Sequence, residues 1–354
     1  GVGLLLPLGS DDEKDVMIAS IGPFWDANET WIVMGVGVLL IAFPSAHGVI
    51  LTNLYFPATV MLLGLILRGV AFDFRVKAGD NKKAMWNKIF FIGSLVASMS
   101  QGWMLGSYIT GLTGSLINTV FSILISLCLP ALYCVLGSTW LLIKTEGVLF
   151  AKAVVWARKS VLPMAVGLFF VSIATPMVSD VIAERWFQLP NFIGLMPIPI
   201  ASGIALVLLM VLLRRDIDEL RKLNPWFLFI CPVIVCLMAA LGLAYSIFPD
   251  IIIGQMTIWE SAAHTSALQF TFYGMMIALP CIIAYTIFIY KVFAEGAGLP
   301  LAQTTADQTL IVSVSMGTYT ITCEDTETGC TDVLTGLEID SPEELDFVVQ
   351  YIEP

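Results

Sequence analysis

The sequence predicts an all-α protein, a polytopic bundle of membrane-spanning helices. Of its 354 residues, 58% are hydrophobic and only 13% are charged, which leaves too little polar surface for a soluble domain of this length. The mean hydropathy is +0.88. The apolar residues also fall into runs of about 20 or more, the length at which a helix crosses ~30 Å of hydrocarbon with all its backbone groups paired.

Eight runs are predicted as spans. They are residues 30–49, 51–71, 89–112, 115–143, 161–178, 192–213, 226–248 and 267–293. The opening GVGLLLPL is too short to span and lacks the layout of a signal peptide. We expect it to be the end of a helix whose beginning is missing from the given sequence.

The chain is predicted to divide into a membrane domain, residues 1–298, and an acidic tail, residues 299–354. The tail holds 11 acidic residues and no basic one. The membrane domain therefore contains 17 acidic and 17 basic residues, and the net charge of −11 comes from the tail. Period-two alternation in TLIVSVSMGTYTITCED predicts a strand. Ser341 and Glu344 fit a capping box, so a small αβ appendage is predicted, with no role assigned.

Basic residues alternate between loops in a way that predicts orientation. The loops after the second, fourth and sixth spans hold most of them, whereas the intervening loops hold only Arg185. Since Lys and Arg concentrate in short cytoplasmic loops, both ends of the chain, including the tail, are predicted to be cytoplasmic in a bacterial inner membrane. His47 and Pro44 are then placed near the outer end of the first complete span, and Trp259 is predicted to be an interfacial anchor in the long outer loop 248–267.

The segment GPFWDANETW places two carboxylates at the start of an apolar helix. Asp26 and Glu29 lie one turn apart, with Trp25 and Trp31 beside them. Burial raises a carboxyl pKa, so such a pair can take and pass protons. The alternative is a helix N-cap within an interfacial aromatic belt, which is common at helix starts. Spacing alone leaves both interpretations open.

A second charged cluster lies in LRGVAFDFRVK. Arg68, Asp73 and Arg75 surround a helix end on the same predicted side. Charged groups near membrane segments are candidates for function, but snorkelling arginines with an ion pair explain the pattern equally well.

The two histidines, His47 and His264, are both predicted to lie toward the outside. They are poorly suited to ligate several haem irons. No phosphate loop, HExxH motif or paired CxxC is present, and no nucleic-acid partner or metal site is predicted.

Together these segments resemble subunit II of the cytochrome bd quinol oxidases, closest in type to the cyanide-insensitive variant. The resemblance rests on GPFWDANETW, LILRGVAFDFRVK and MWNKIFFIGSLVASMSQGWMLG, with KTEG and MTIWESAAHTSALQF as later landmarks. It covers roughly residues 1 to 295, and GVGLLLPL is similar to the end of the family's first helix. The tail does not match the family pattern.

The resemblance implies nine helices, about eight of them complete here, and a partner, subunit I, that carries haem b and haem d. It implies quinol oxidation, reduction of oxygen to water, and no catalytic residue or directly bound cofactor in this chain. A structural quinone and a small accessory subunit occur in some relatives. By the same resemblance, Asp26 lies on a cytoplasmic proton path with Trp31 near it. Glu29 is assigned to the path on spacing, and Trp25, Asn28, Arg68, Asp73 and Arg75 form the surrounding structural motif.

Two other functions are compatible with the composition. A secondary transporter would be favoured by broken helices, acidic residues near the middle of the membrane and internal repeats. Here WDANETW has no clear second copy, and the acidic residues cluster at one side. A haem-free membrane scaffold requires only that Asp26 cap a helix. An N-cap tolerates Asn almost freely, whereas a proton carrier does not.

Overall fold

The computed structural model describes residues 1–22, 25–189, 191–292, 317–324 and 331–339. Within these ranges the description excludes the side chains of residues 26–29, 76, 80–81, 291–292, 317–324 and 331–339. The chain forms two compact units, residues 1–286 and residues 287–354. The predicted division at residue 298 stays a proposal.

The described part of the chain is dominated by helices. In chain order these are α1 (Val2–Leu5), α2 (Asp11–Ala19), α3 (Trp25–Ala42), α4 (Pro44–Lys77), α5 (Asp80–Ile109), α6 (Leu116–Lys144), α7 (Gly147–Val178), α8 (Asp180–Phe187), α9 (Asn191–Leu195), α10 (Pro197–Leu213), α11 (Ile217–Lys222), α12 (Trp226–Ile247), α13 (Ile258–Ser261) and α14 (Thr265–Val292). Two short strands, β1 (Asp250–Ile252) and β2 (Met256–Thr257), precede α13.

Seven helical stretches in this part of the chain are long and apolar enough to cross a membrane, and a shorter apolar stretch runs from Thr30 to Ala42. The predicted polytopic helical bundle is therefore confirmed. The first two span boundaries were wrong. Phe43 has φ −136° and ψ 62°, outside the helical region, and Pro44 occupies the first turn of α4, where its missing N–H costs nothing. The chain turns there, so Pro44 and His47 begin α4 instead of ending α3.

Neighbouring spans pack in chain order, with α4 against α5, α5 against α6, and α6 against α7, while α10 packs against α12. The backbones of α4 and α5 approach each other closely at Gly64 and Gly93. A Cβ on Gly93 would lie 2.7 Å from the Gly64 carbonyl oxygen and 2.9 Å from the Arg68 nitrogen. Small residues at such a crossing allow two membrane helices to pack backbone against backbone.

The loop that contains β1, β2 and α13 covers the ends of several helices. Arg185 in α8 donates hydrogen bonds to the carbonyl oxygens of Ser246, Ile247 and Phe248, and to Asp250 Oδ2 at 3.2 Å. The guanidinium thus satisfies carbonyls at the end of α12 that have no partner within the helix. This contact gives a structural role to the only basic residue in the predicted outer loops.

The same loop also packs on α4 and α5. Ile252, which is 1% exposed, lies against Ala46, Ile50 and Leu54 of α4. Tyr108 in α5 donates its hydroxyl hydrogen to the Ile251 carbonyl oxygen. The loop is therefore an ordered strap, and Trp259 is 67% exposed upon it.

The second unit contains an antiparallel hairpin formed by β3 (Gly317–Glu324) and β4 (Thr331–Ile339). Register runs from Gly317 opposite Ile339 to Glu324 opposite Thr331, with an irregularity between Tyr319 and Thr320. The predicted strand is confirmed for residues 317–324. The helix predicted from Ser341 lies outside the described residues.

Candidate functional site

The candidate site lies at one end of the bundle, which we call the basic edge. It is formed by α2, the start of α3, the end of α4 and the starts of α5 and α7. Arg75, Lys83 and Lys152 mark this edge, and each of them pairs with an acidic residue of α2. The paired side chains show that these helix ends meet in the folded chain.

The start of α3 is held against α4 by an aromatic and cationic contact. The Trp25 ring lies 4.9 Å from the Phe72 ring, measured between centroids. The Arg68 guanidinium carbon lies 5.8 Å from the Trp25 ring centroid, within the range of a cation–π interaction. A Cβ on Gly69 would come within 3.5 Å of Trp25, so a small residue here admits the ring. Asp26 follows directly in the chain.

Arg75 is at the centre of a buried polar network. Its side chain is 6% exposed. Its Nε donates to Asn87 Oδ1 of α5 at 2.5 Å, and its Nη2 donates to the Asp15 carboxylate of α2. Lys83 lies 3.9 Å from the other oxygen of that carboxylate. A buried guanidinium needs such paired hydrogen bonds because an uncompensated charge is costly to bury.

The first turn of α2 carries a second link to the bundle. Ser10 and Glu13 form a capping box at the helix start, and the Lys152 ammonium of α7 lies 2.6 Å from Glu13 Oε1. Partial burial alone would raise the pKa of Glu13. The hydrogen bonds from Lys152 and Ser10 outweigh that effect and lower the pKa below its usual value. Glu13 is therefore held as an anion that ties α2 to α7.

The structure brings some of the predicted site residues together, and for others it describes only the backbone. Trp25 and Arg68 meet, and Trp31 is half-buried on α3. Asp26, Asn28 and Glu29 lie in the first turns of α3, but their side chains are outside the description. Because α3 begins at Trp25, Asp26 falls inside the first turn. An acid there still favours the helix electrostatically.

The ion pair expected within residues 68–75 has a different partner. Asp73 is exposed, and the carboxylate that binds Arg75 is Asp15, 60 residues away in sequence. Sequence analysis missed Asp15, Glu13, Asn87 and Lys152. The run DDEKD just before the Trp–Asp block was the available signal, since acids next to a basic edge have cations within reach.

The described residues contain no group of three or more His, Cys, Asp or Glu side chains that could hold a metal ion. The sequence has two histidines. His264 Nδ1 contacts Ser266 Oγ at 2.9 Å, and His47 begins α4 at the edge opposite the basic one. No redox step is assigned to these two histidines.

Comparison with known proteins settles the family. The family description "Cytochrome bd terminal oxidase subunit II" matches residues 1–293. The chain belongs to this family. It is 26% identical over 342 residues to cytochrome bd-I ubiquinol oxidase subunit 2 of Escherichia coli K12, covering 83% of this chain and 88% of that protein. It is 27% identical over 315 residues to cytochrome bd ubiquinol oxidase subunit 2 of Bacillus subtilis, covering 83% and 89%.

A solved structure shares the fold. A chain in the structure of bd oxidase from Geobacillus thermodenitrificans has a TM-score of 0.56 at 16% identity, covering 82% of this chain and 96% of that chain. Family membership makes this chain a membrane-embedded subunit of a terminal quinol oxidase, an oxidoreductase. It also implies subunit I as a partner, with the haems in that partner. The transporter and scaffold alternatives are not favoured.

Proposed function

We propose that this subunit supplies a proton entrance to the oxidase at the basic edge, with Asp26 as the group that takes up the proton. The observation that carries the proposal is the packing of Trp25 against Arg68 and Phe72 of α4. This contact holds the start of α3, and with it the backbone of Asp26, against α4. Nearby charges and burial are what shift a carboxyl pKa, and groups with shifted pKa values are frequent at proton-transfer sites.

The orientation of the chain in the membrane is inferred from the basic residues of the same edge. Short loops rich in Lys and Arg favour the cytoplasmic side, so we place the basic edge and the acidic tail in the cytoplasm and the spans in the bacterial inner membrane. Protons for oxygen reduction then enter from the cytoplasm. Haem b and haem d are proposed in subunit I, which oxidises quinol. A structural quinone and a small accessory subunit are left as features of relatives.

Replacing Asp26 with Asn tests the proton entrance. The change removes only the titratable charge, and the lost helix-dipole interaction costs about 0.3–1 kcal/mol. We expect quinol oxidase activity of the purified complex to fall at least about tenfold, since a positioned proton-transfer group contributes that much or more. Asp26→Glu should restore part of the activity. Oxygen consumption is measured across pH together with the haem content of the complex.

The matched control is Asp12→Asn, which removes another first-turn acid at the same edge, in α2. We expect it to leave activity close to that of the wild type. If Asp26→Asn retains full activity at normal haem content, the proton entrance is wrong while the family assignment stands. Equal losses in both variants would indicate a general effect of edge charge and would also count against Asp26.

We further propose that α14 forms part of the face that packs on subunit I. None of the apolar window of α14 is buried within the described part of the chain. Yet Gln269, Tyr273 and Tyr285 are exposed on that helix. Polar side chains and a glycine on a membrane helix favour contact with protein over contact with lipid. The family supplies one obligatory protein neighbour, subunit I.

Gly274→Leu tests this face. No atom of the described chain lies within 4 Å of a Cβ on Gly274, so the substitution is tolerated within the subunit. Against a packed partner the added side chain should clash, and we expect the yield of co-purified subunit I to fall several-fold. Gly203→Leu in α10 is the control, because Gly203 is equally open. Equal yields from the two variants would contradict the assignment of α14 to the interface.

A further inference from the structure

A polar cavity lies at the edge opposite the candidate site, where α4, α5 and α6 meet. Its volume is about 260 Å³. Six of the ten lining residues carry amide or hydroxyl side chains, none is charged, and Trp103 provides one wall. The polar lining residues are Asn53, Ser107, Thr113, Asn118, Thr119 and Ser122. A cavity of this composition selects a neutral ligand of roughly the size of one sugar ring.

The hydrogen bonds inside the cavity define what such a ligand must offer. Asn53 Nδ2 donates to the Val49 carbonyl oxygen, and Ser122 Oγ donates to the Asn118 carbonyl oxygen, both at 2.9 Å. Thr119 Oγ1 donates to the Ser115 carbonyl oxygen at 3.0 Å, and Asn118 Nδ2 donates to Thr113 Oγ1.

The hydroxyl groups of Thr119 and Ser122 therefore already donate their one hydrogen to the protein, so their oxygens can only accept from a ligand. The Oδ1 atoms of Asn53 and Asn118 can accept as well, and Asn53 keeps one amide hydrogen to donate. A ligand that donates hydrogen bonds fits this lining. A ligand with acceptors only, such as a quinone ring, fits it less well. The exposed indole of Trp103, which is 36% accessible, offers a flat apolar face on which the C–H side of a sugar ring can stack.

The surroundings of the cavity indicate that the ligand carries an apolar chain. Leu116, Ile117 and Val120 are 80%, 69% and 58% exposed, and they flank the lining residues Asn118 and Thr119 on α6. A headgroup in the cavity would place an attached acyl chain along this apolar surface, at the membrane boundary. A free sugar would leave the surface uncovered.

We propose that this cavity binds the neutral polyhydroxylated headgroup of a membrane lipid, such as a monoglycosyl diacylglycerol. The headgroup hydroxyls donate to the Asn, Ser and Thr oxygens, and Trp103 stacks on the ring. The proposal is independent of Asp26 and of the proton entrance, since the cavity lies at the other end of α4 and α5.

The test uses the intact two-subunit complex in nanodiscs of phosphatidylethanolamine and phosphatidylglycerol. Monoglucosyl diacylglycerol, or diacylglycerol without the sugar, is added at the same small mole fraction. Native mass spectrometry then counts the lipids retained by the complex. We expect selective retention of the glucosyl lipid, reduced about tenfold by Trp103→Ala, since an aromatic wall contributes roughly that much, and reduced also by Asn53→Ala.

Trp259→Ala is the matched control, because it removes an exposed Trp on the strap that does not line the cavity. It should retain the glucosyl lipid as the wild type does, and the haem spectrum of each variant checks that the complex is intact. Equal retention of the lipids with and without sugar would overturn the proposal. So would full retention by Trp103→Ala and Asn53→Ala, or recovery of a quinone or phosphatidylethanolamine in place of the glucosyl lipid.

Discussion

Replacing Gly93 with Leu is expected to prevent stable folding of this subunit and to abolish recovery of the oxidase complex. A Cβ at this position would meet backbone atoms of α4, at 2.7 Å from the Gly64 oxygen and 2.9 Å from the Arg68 nitrogen. Backbone atoms cannot rotate away, so the two helices must separate, at a cost of about 3 kcal/mol or more. Expression in membranes and haem content of the purified complex measure the effect.

Gly203→Leu again provides the control for added bulk and hydrophobicity. It is expected to give wild-type yields, since the space around Gly203 within the described chain is open. Gly93→Ala should give an intermediate result, because a single methyl forces a smaller separation than a leucine side chain. Normal yield and activity from Gly93→Leu would show that the α4–α5 crossing is looser than these distances indicate.

Replacing Asp15 with Leu is expected to destabilise the complex by about 1–3 kcal/mol, the cost of leaving a buried polar group without a partner, which is less than the cost of breaking a pair buried on both sides. Asp15 itself is half-exposed, but its partner Arg75 is 6% exposed. The substitution therefore leaves a buried guanidinium whose charge has lost its acidic partner on α2. The temperature at which the purified complex loses its haem spectrum measures this loss.

Two further variants separate the pair from a general effect of surface charge. Asp11→Asn removes an exposed acid that pairs with Lys14, and such pairs contribute little, so we expect no clear change. Arg75→Met on the Asp15→Leu background removes the stranded charge and should recover part of the stability. A double variant less stable than Asp15→Leu alone would mean that Arg75 acts mainly through Asn87, and not through Asp15.

Hydropathy alone predicted the helical membrane bundle, because a membrane helix satisfies its own backbone and needs only local apolarity. The Trp–Asp block and the Arg–Gly–Val–Ala–Phe segment pointed to the family, and the match over residues 1–293 confirms it. The roles of Asp26 and Glu29 remain predictions.

The sequence predicts the boundaries of the spans less well than it predicts that the spans exist. The run from residue 30 to residue 71 is almost continuously apolar, so hydropathy could not locate the turn. Pro44 is a weak local signal because prolines also occur inside spans here, as Pro57 does in α4. Packing of Ala46 and Ile50 against the strap accompanies the early start of α4, and no local pattern predicts that contact.

The sequence by itself thus determined the fold class, the family, and the concentration of basic residues at one edge. Each of these depends on composition or on residues close together in the chain. Tertiary structure alone decided that Arg75 pairs with Asp15, that Arg185 binds the end of α12, and that neutral side chains from three helices enclose a cavity. These depend on groups that lie far apart in the chain, as Asn53 and Ser122 of the cavity do. A charged side chain pairs with the group that helix packing brings close to it, and a local sequence pattern does not specify which helix ends will meet.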